Sequence, residues 1–244
     1  MNNEKGFTSN TIKLIAIIAM TIDHIAFIFF PRYSVDLPVL LIHIIGRLTA
    51  PIMMFFIAEG YFYTKNIKKY LFRLFVFAII SHFAYAIAFD KDLIPFREAF
   101  FDQTSVIWTL GIGLLALTIY NINIKNWQKL IIIFIVVWAA FPADWSTPAA
   151  LAILYMGIYR DSFKKQMLCL VVCIAIYSTI YFIFHNKIYG LIQMFIILAI
   201  PILYQYNGQR GTWKGMKWFF YIYYPAHLII LGIIRIFSLH KGID

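Results

Sequence analysis

The sequence predicts an all-α, polytopic integral membrane protein with about nine transmembrane helices, folded as a single domain over residues 1–244. Of the 244 residues, 62% are hydrophobic, 19% aromatic and 13% charged, and the mean hydropathy is +0.79. This composition excludes an ordinary water-soluble domain. The net charge is +10, and the basic residues lie in short segments between apolar runs, where such residues set the orientation of membrane spans. The positive charge is thereby explained, and no nucleic-acid partner is expected.

The first three predicted spans are long apolar runs. Span one covers residues 11–30 and is too long for the core of a signal peptide, so we expect it to be retained. Span two, 37–63, is the longest run, and span three covers 70–89. Each is long enough to cross a bilayer as a helix.

Six further spans complete the predicted bundle. Hydropathy places them at 105–121, 128–142, 146–159, 166–185, 188–205 and 217–237. Spans five and six are the shortest of the nine.

Charge in the connecting segments predicts the orientation, because Lys and Arg concentrate in cytoplasmic loops. Basic residues follow spans two, four, six and eight: Lys65, Lys68, Lys69, Arg73, Lys125, Lys129, Arg160, Lys164, Lys165, Arg210, Lys214 and Lys217. The other side is more acidic, with Asp90, Lys91, Asp92, Arg97, Glu98, Asp102 and Asp144. The chain is therefore predicted to be a multi-pass cell-membrane protein with a cytoplasmic amino terminus and an extracytoplasmic carboxyl terminus.

Ionisable residues inside span one are the first candidates for a site, because such groups are costly in hydrocarbon and usually functional. Lys13 and His24 lie eleven residues apart, which is about three helical turns and roughly 16 Å of rise on one face. This spacing suits a long ligand with a charged head. Asp23 precedes His24 but points about 100° away from it, so a direct Asp-His pair is not fixed by the sequence.

Span two and the last span add further polar candidates. Arg47 and Glu59 lie twelve residues apart and can form either a helix-packing ion pair or part of a site. His227 follows Pro225, whose missing N–H frees backbone groups for use in a polar cavity. Two more histidines lie in the middle of spans, His43 and His82.

Several short segments carry a resemblance to a known family. They are 14–24 (LIAIIAMTIDH), 45–51 (IGRLTAP), 56–61 (FIAEGY), 64–66 (TKN), 70–74 (YLFRL), 206–208 (YNG) and 223–228 (YYPAHL). Through them the chain resembles the TraX family, named for the conjugation protein linked to amino-terminal acetylation of F-type pilin. The likeness runs from about residue 11 to residue 231.

The pattern of a basic residue, ten others and a histidine at Lys13 and His24 is also similar to the wider transmembrane acyltransferase families, which O-acetylate cell-surface polymers. In those families the histidine is the proposed catalytic residue and the donor is a cytoplasmic acyl-coenzyme A. The resemblance therefore implies a transmembrane-acyltransferase-like bundle in which His24 is the catalytic residue.

The predicted reaction moves an acetyl group from acetyl-coenzyme A (acetyl-CoA) to an amine or hydroxyl. His24 acts as the base or carries the acyl group as an acyl-imidazole. Lys13, helped by Lys65 and Arg210, binds the donor phosphates. The residues expected to orient His24 or stabilise the oxyanion are Asp23, Arg47, Glu59 and His227.

The expected partners are acetyl-CoA, membrane lipid and a membrane-associated acceptor. The acceptor can be the amino terminus of a peptide or lipoprotein, or an envelope glycan. No metal is expected, because the sequence holds no zinc or nucleotide-loop motif.

Two other functions remain open at this level. A proton-coupled transporter or permease would use Asp23, His24, Arg47 and Glu59 as a relay. A structural partner of a secretion or conjugation apparatus would need none of them for chemistry.

Overall fold

The computed structural model describes residues 6–30, 33–94 and 103–241, and in these ranges the regular structure is helical. The α-helices are α1 Ser9–Phe29, α2 Leu37–Gly46, α3 Thr49–Tyr63, α4 Ile67–Phe89, α5 Val106–Tyr120, α6 Asn126–Trp138, α7 Ser146–Ile158, α8 Phe163–Phe184, α9 Lys187–Gln193, α10 Ala199–Tyr204 and α11 Met216–Lys241. A 3-10 stretch, Met194–Leu198, joins α9 to α10.

Six helical segments in the described ranges are long and apolar enough to cross a membrane: Ser9–Phe29, Leu37–Tyr63, Ile67–Phe89, Phe163–Phe184, Lys187–Tyr204 and Met216–Ser238. They coincide with predicted spans one, two, three, seven, eight and nine. The all-helical membrane protein that the composition predicts is therefore supported by the structure.

The predicted count of nine spans is not confirmed. Spans four, five and six correspond to α5, α6 and α7, which have only 15, 13 and 13 residues. A 13-residue helix is about 20 Å long, whereas the hydrocarbon core of a bilayer is about 30 Å thick. Hydropathy identified these segments as apolar but did not establish that they cross.

Local sequence explains where several helices begin and end. The Thr8 hydroxyl accepts a hydrogen bond from the Thr11 amide and caps α1, and Asn186 caps α9 in the same way through the Tyr189 amide. Pro38 lies in the first turn of α2, where its missing N–H costs nothing. Predicted span two is interrupted after Gly46, so α2 and α3 are separate helices.

The chain forms two compact units. Unit 1 comprises Met1–Met53, Phe83–Leu93 and Ser178–Asp244, and unit 2 comprises Met54–His82 and Ile94–Tyr177. Helices α3, α4 and α8 have residues in both units.

In unit 1, α1 packs against α2 and α11. Its buried residues include Ile12, Ala16, Ala19, Asp23 and Ala26, which recur every three or four residues along one stripe. Small alanines allow close approach between membrane helices. Asp23 therefore lies on the packed face of α1, and this position fixes its neighbours.

Unit 2 has its core among α5, α6 and α7, which pack against one another. Close approach is required here too, because a Cβ at Gly113 would overlap the Ile153 side chain and one at Gly157 would overlap Leu117. The Trp108 indole donates to the Ala139 carbonyl and the Thr109 hydroxyl to that of Asp144, which ties α5 to the turn between α6 and α7.

The predicted orientation of the termini stays a prediction. Three of the residues used for it, Arg97, Glu98 and Asp102, lie outside the described residues.

Candidate functional site

The first cluster of polar side chains joins α1 to α11 and is called here the His24 network: Thr21, His24, Tyr223 and His227. His24 Nδ1 lies 2.8 Å from His227 Nε2, and the two rings are within 3° of parallel with centroids 5.1 Å apart. These values fit two imidazoles joined edge to edge in one plane. The sequence predicted that both histidines belong to a site, and the structure brings them into direct contact.

The partners of His227 fix which nitrogen of each ring carries a proton. His227 Nδ1 lies 2.9 Å from the Tyr223 carbonyl oxygen, which can only accept, so Nδ1 is the protonated nitrogen. In neutral His227, Nε2 is then an acceptor and His24 Nδ1 must donate to it. His24 Nε2 consequently holds an unshared electron pair, which is the form that a base or a nucleophile needs.

Tyr223 and Thr21 hold this pair in place. The Thr21 hydroxyl donates to the Ile17 carbonyl, so the Tyr223 hydroxyl donates to Thr21 across 2.8 Å. The Tyr223 ring also lies nearly parallel to that of His227, with centroids 5.1 Å apart. The carbonyl that His227 uses is that of Tyr223. Pro225 has no N–H, so the carbonyl that lacks its helical hydrogen-bond donor is that of Tyr221, four residues earlier. His227 Nδ1 does not bond to that carbonyl.

The second cluster joins α1, α2 and α9 and is called the Asp23 network: Asp23, His43, Arg47 and Gln193. Asp23 Oδ1 lies 2.7 Å from His43 Nδ1, and Asp23 Oδ2 accepts from Arg47 Nη2 at 2.7 Å. Arg47 also donates from Nη1 to the Gln193 side-chain oxygen at 2.8 Å and from Nε to the His43 carbonyl at 3.1 Å. All four residues are buried, so the charges of Asp23 and Arg47 compensate each other away from water.

Gly46 makes room for this network. A Cβ at position 46 would overlap the Cβ, Cγ and Oδ1 atoms of Asp23. The carboxylate therefore occupies the space that any other residue at position 46 would fill.

The sequence suggested that the partner of His24 need not be Asp23, and the structure agrees. Asp23 bonds His43 and Arg47, while His24 bonds His227. Among the described residues, no hydrogen bond joins the His24 network to the Asp23 network. Two neighbouring residues of α1 thus anchor two separate clusters.

Basic residues lie at the start of α1. The amides of Ser9 and Asn10 donate to the carbonyls of Gln209 and Arg210, and Asn10 Nδ2 donates to the Trp213 carbonyl. These bonds bring Arg210 within electrostatic range of Lys13. Lys65, the third residue predicted to bind phosphate, is an exposed residue of unit 2, and its role stays a prediction.

The conformation of the segment that carries Arg210 depends on Gly211. Gly211 has φ +91°, and a Cβ there would lie 2.8 Å from the Thr8 hydroxyl and 3.0 Å from Asn10 Nδ2. Only glycine combines this backbone conformation with this close approach.

Of the two alternatives that the sequence left open for Arg47 and Glu59, the structure does not show the ion pair between them. Arg47 pairs with Asp23, and Glu59 accepts from Arg160 Nε at 3.2 Å within unit 2. The helix breaks between the two residues, so the three-turn spacing of a continuous span does not apply. The part of Glu59 in the chemistry stays a prediction.

Arg160 lies between α7 and α8, with its guanidinium carbon 4.5 Å from the ring centroid of Phe62 and 5.3 Å from that of Tyr63. Partial burial lowers the pKa of Arg160, but the hydrogen bonds and the charge of Glu59 outweigh it, so this pKa lies above its ordinary value. The Arg160 guanidinium is therefore charged at every physiological pH.

We expect Glu59→Gln to lower the free energy of unfolding by about 1–2 kcal/mol, because it removes a charged acceptor from a buried position. The Arg160 side chain is 34% exposed, so water moderates the loss. Thermal unfolding in detergent measures the effect, with Asp161→Asn, at an exposed neighbour, as the matched control. Equal stability of the two variants would show that the ion pair contributes nothing.

Four residues of the two networks were not predicted as site residues. Thr21, Tyr223 and Gln193 are uncharged, and His43 was noted only as a polar group in mid-span. Gln193 could have been found, since an amide is conspicuous in the apolar run 188–205. Within the described ranges, no group of three or more His, Cys, Asp and Glu side chains could hold a metal ion.

Comparison with known proteins gives two matches. A family model described as "TraX protein" matches residues 8–235, a range that contains every residue of both networks. A relative from Dichelobacter nodosus, described as "Probable fimbrial assembly protein FimC, serogroup H1", is 31% identical over 246 residues, which cover 97% of this chain and 99% of the relative. No solved structure matches the chain.

Proposed function

Because this chain belongs to the TraX family, we propose that it is an integral membrane acyltransferase that moves an acetyl group from acetyl-CoA to an amine or hydroxyl acceptor at the membrane. The family is linked to pilin acetylation, and the relative from Dichelobacter nodosus is described as a fimbrial assembly protein. An acetyltransferase would account for both.

The observation that carries this proposal is the state of His24. Its Nδ1–H is held by His227, which leaves Nε2 with an unshared electron pair inside a transmembrane helix. That nitrogen can take a proton from an acceptor, or attack the thioester carbonyl itself. His227 supports either role, because it fixes the ring and can share the positive charge that develops on it.

Lys13 and Arg210 are the proposed site for the donor phosphates. Helix α1 is continuous from Ser9 to Phe29, so Lys13 and His24 lie on one face about 16 Å apart along the axis. The pantetheine arm of acetyl-CoA separates its phosphates from its thioester over a comparable length. If the amino terminus is cytoplasmic, as the loop charges predict, the donor enters from the compartment that contains it.

The acceptor we favour is the amino terminus of a fimbrial subunit, because the relative is described as a fimbrial assembly protein. A lipoprotein amino terminus and an envelope glycan are the other candidates. The three present the same chemistry, a nucleophilic nitrogen or oxygen that must lose a proton to form the new bond.

The test is the binding and turnover of acetyl-CoA by the purified protein in detergent. We expect a measurable affinity by titration calorimetry and a continuous release of coenzyme A as the acetyl group passes to water. A protein that binds no acyl-CoA of any chain length would overturn the proposal and favour the transporter.

We expect Lys13→Ala to raise the Kd for acetyl-CoA roughly 10- to 150-fold, because each charged hydrogen bond to a phosphate is worth about 1.5–3 kcal/mol. Calorimetry measures the change, and Lys187→Ala, at an exposed lysine of unit 1, is the matched control. S-acetylpantetheine lacks the nucleotide phosphates, so it should bind both variants and the wild type equally. If Lys13→Ala weakens S-acetylpantetheine as well, Lys13 does not act through the phosphates.

A further inference from the structure

His43 is the residue around which the Asp23 network is built. Asp23 and Arg47 bond to each other, and each also bonds to His43: Asp23 through the ring nitrogen Nδ1, Arg47 through the main-chain carbonyl. His43 is thus held at two points by a buried ion pair.

A purely structural Arg-Asp pair would use both carboxylate oxygens for the guanidinium, since the bidentate arrangement is the strongest. Here Asp23 gives one oxygen to His43 and one to Arg47. Arg47 in turn uses its other nitrogens on Gln193 and on the backbone of α2. This division favours a network that positions His43 over one that only neutralises charge.

The same bonds set the protonation of His43. The Asp23 carboxylate accepts, so His43 Nδ1 carries the proton. Nε2 is then the one nitrogen of the His43 ring that is left to accept a proton. The protein therefore contains two imidazoles whose orientation is fixed by a hydrogen bond. His24 is bonded to another imidazole, that of His227, and His43 is bonded to the carboxylate of Asp23.

On the basis of the proposed function, we infer that the two histidines act in different steps of the reaction: His24 carries the acetyl group covalently, and His43 is the base that takes the proton of the acceptor. An acetyl group on His24 Nε2 occupies the nitrogen that could take the proton of the acceptor, and the other nitrogen, Nδ1, is engaged with His227. A second base is then needed for the acceptor, and His43 has the required form.

In the first step, His24 Nε2 attacks the thioester carbonyl, a C–N bond forms, the C–S bond breaks and coenzyme A leaves as its thiolate. The proton on His24 Nδ1 passes to His227 Nε2, so His24 becomes a neutral acetyl-imidazole. The Tyr223 carbonyl, which accepts from His227 Nδ1, stabilises the resulting imidazolium.

In the second step, the acceptor nitrogen or oxygen attacks the acetyl carbonyl and gives its proton to His43 Nε2. The bond from the acetyl carbon to His24 breaks, and His24 Nδ1 recovers its proton from His227. Asp23 stabilises the protonated His43, which then returns its proton through solvent to the thiolate. The products are the acetylated acceptor and the thiol of coenzyme A, so the atoms and charges balance.

The experiment uses acetyl-CoA with two simple acceptors, water and hydroxylamine. Attack by water needs a base, whereas hydroxylamine is a strong neutral nucleophile that cleaves acyl-imidazoles without one. The variant is His43→Gln, whose amide can still donate to Asp23, and the matched control is His82→Gln, at a histidine of similar burial in unit 2. Coenzyme A release is followed by chromatography, and the acetyl group on His24 by mass spectrometry after acid quenching.

We expect His43→Gln to release about one coenzyme A per protein, retain acetyl-His24, and then turn over roughly 100-fold more slowly than the wild type in water. Hydroxylamine should restore its turnover to nearly the wild-type rate. If His43→Gln hydrolyses acetyl-CoA like the wild type, or if hydroxylamine fails to restore it, His43 is not the base, although the acyltransferase itself stands.

If His43→Gln does not fold, Asp23→Asn is the second variant. It keeps an oxygen for His43 Nδ1–H and removes the charge that stabilises protonated His43, so it should show a smaller loss that hydroxylamine also reverses. A wild type that turns over without ever holding acetyl on His24 overturns this inference alone. A wild type that neither binds nor turns over acetyl-CoA overturns the proposed function.

Discussion

Replacing His24 by alanine is expected to reduce acetyl-CoA turnover by roughly 100- to 10,000-fold, the range that a positioned base or nucleophile contributes. His227 is not expected to replace it, because His227 Nδ1 is committed to the Tyr223 carbonyl and His227 Nε2 faces Nδ1 of the missing ring, one ring's width from the position of His24 Nε2. Donor affinity should stay near that of the wild type, since Lys13 and Arg210 remain. Radiolabelled acetyl-CoA measures the rate, and calorimetry measures the Kd.

Two variants at His227 test the reason for this effect. Glutamine at position 227 can still accept from His24 Nδ1 through its side-chain oxygen, whereas phenylalanine fills a similar space and cannot accept. We therefore expect His227→Phe to lose much more activity than His227→Gln, with the wild-type Kd in both. Equal losses would show that His227 acts by taking up the His24 proton, which glutamine cannot do, and that fixing the tautomer of His24 contributes little. Full activity of His24→Ala would exclude His24 from the chemistry.

Most of the helical pattern could be predicted from hydropathy, and the exceptions have physical causes. Apolar runs predicted the positions of α1, α4, α8 and α11 closely. The break after Gly46 was not visible, because the residues on both sides are apolar and good for a continuous span. The lengths of α5–α7 were overestimated because hydropathy responds only to apolar composition. Turns that are buried inside a protein have the same apolar composition as membrane spans, so hydropathy does not separate the two.

The candidate site was predictable in its residues and not in its pairings. Asp23, His24, Arg47 and His227 stood out because ionisable groups inside apolar runs are costly. Their partners depend on which helices pack together, and the pairs Asp23–Arg47 and His24–His227 join residues 24 and 203 positions apart. An ion pair between Arg47 and Glu59, one of two alternatives from the sequence, would have needed an unbroken helix, and the helix breaks after Gly46. Uncharged partners such as Thr21 and Tyr223 carried no comparable signal.

We expect Gly46→Ala to be among the most damaging small substitutions in unit 1. The new methyl group would overlap the Asp23 side chain, so the carboxylate must move away from His43 and Arg47. Breaking a buried ion pair in this way costs about 3–5 kcal/mol, far more than the roughly 1 kcal/mol that alanine gains over glycine in a helix. Unfolding in detergent micelles measures the loss of stability, and turnover should fall with it.

The control is Gly111→Ala in α5, where a Cβ meets only the edge of the Phe75 ring at 3.2–3.5 Å and the helix itself gains from alanine. A double-mutant cycle with Asp23→Gly tests the mechanism further, because glycine removes the Cβ of residue 23 together with the carboxylate. Once the whole Asp23 side chain is absent, Gly46→Ala has little left to displace, so the double variant should be about as stable as Asp23→Gly alone. Additive losses would mean that Gly46 matters for α2 itself and that its closeness to Asp23 has no part in holding His43.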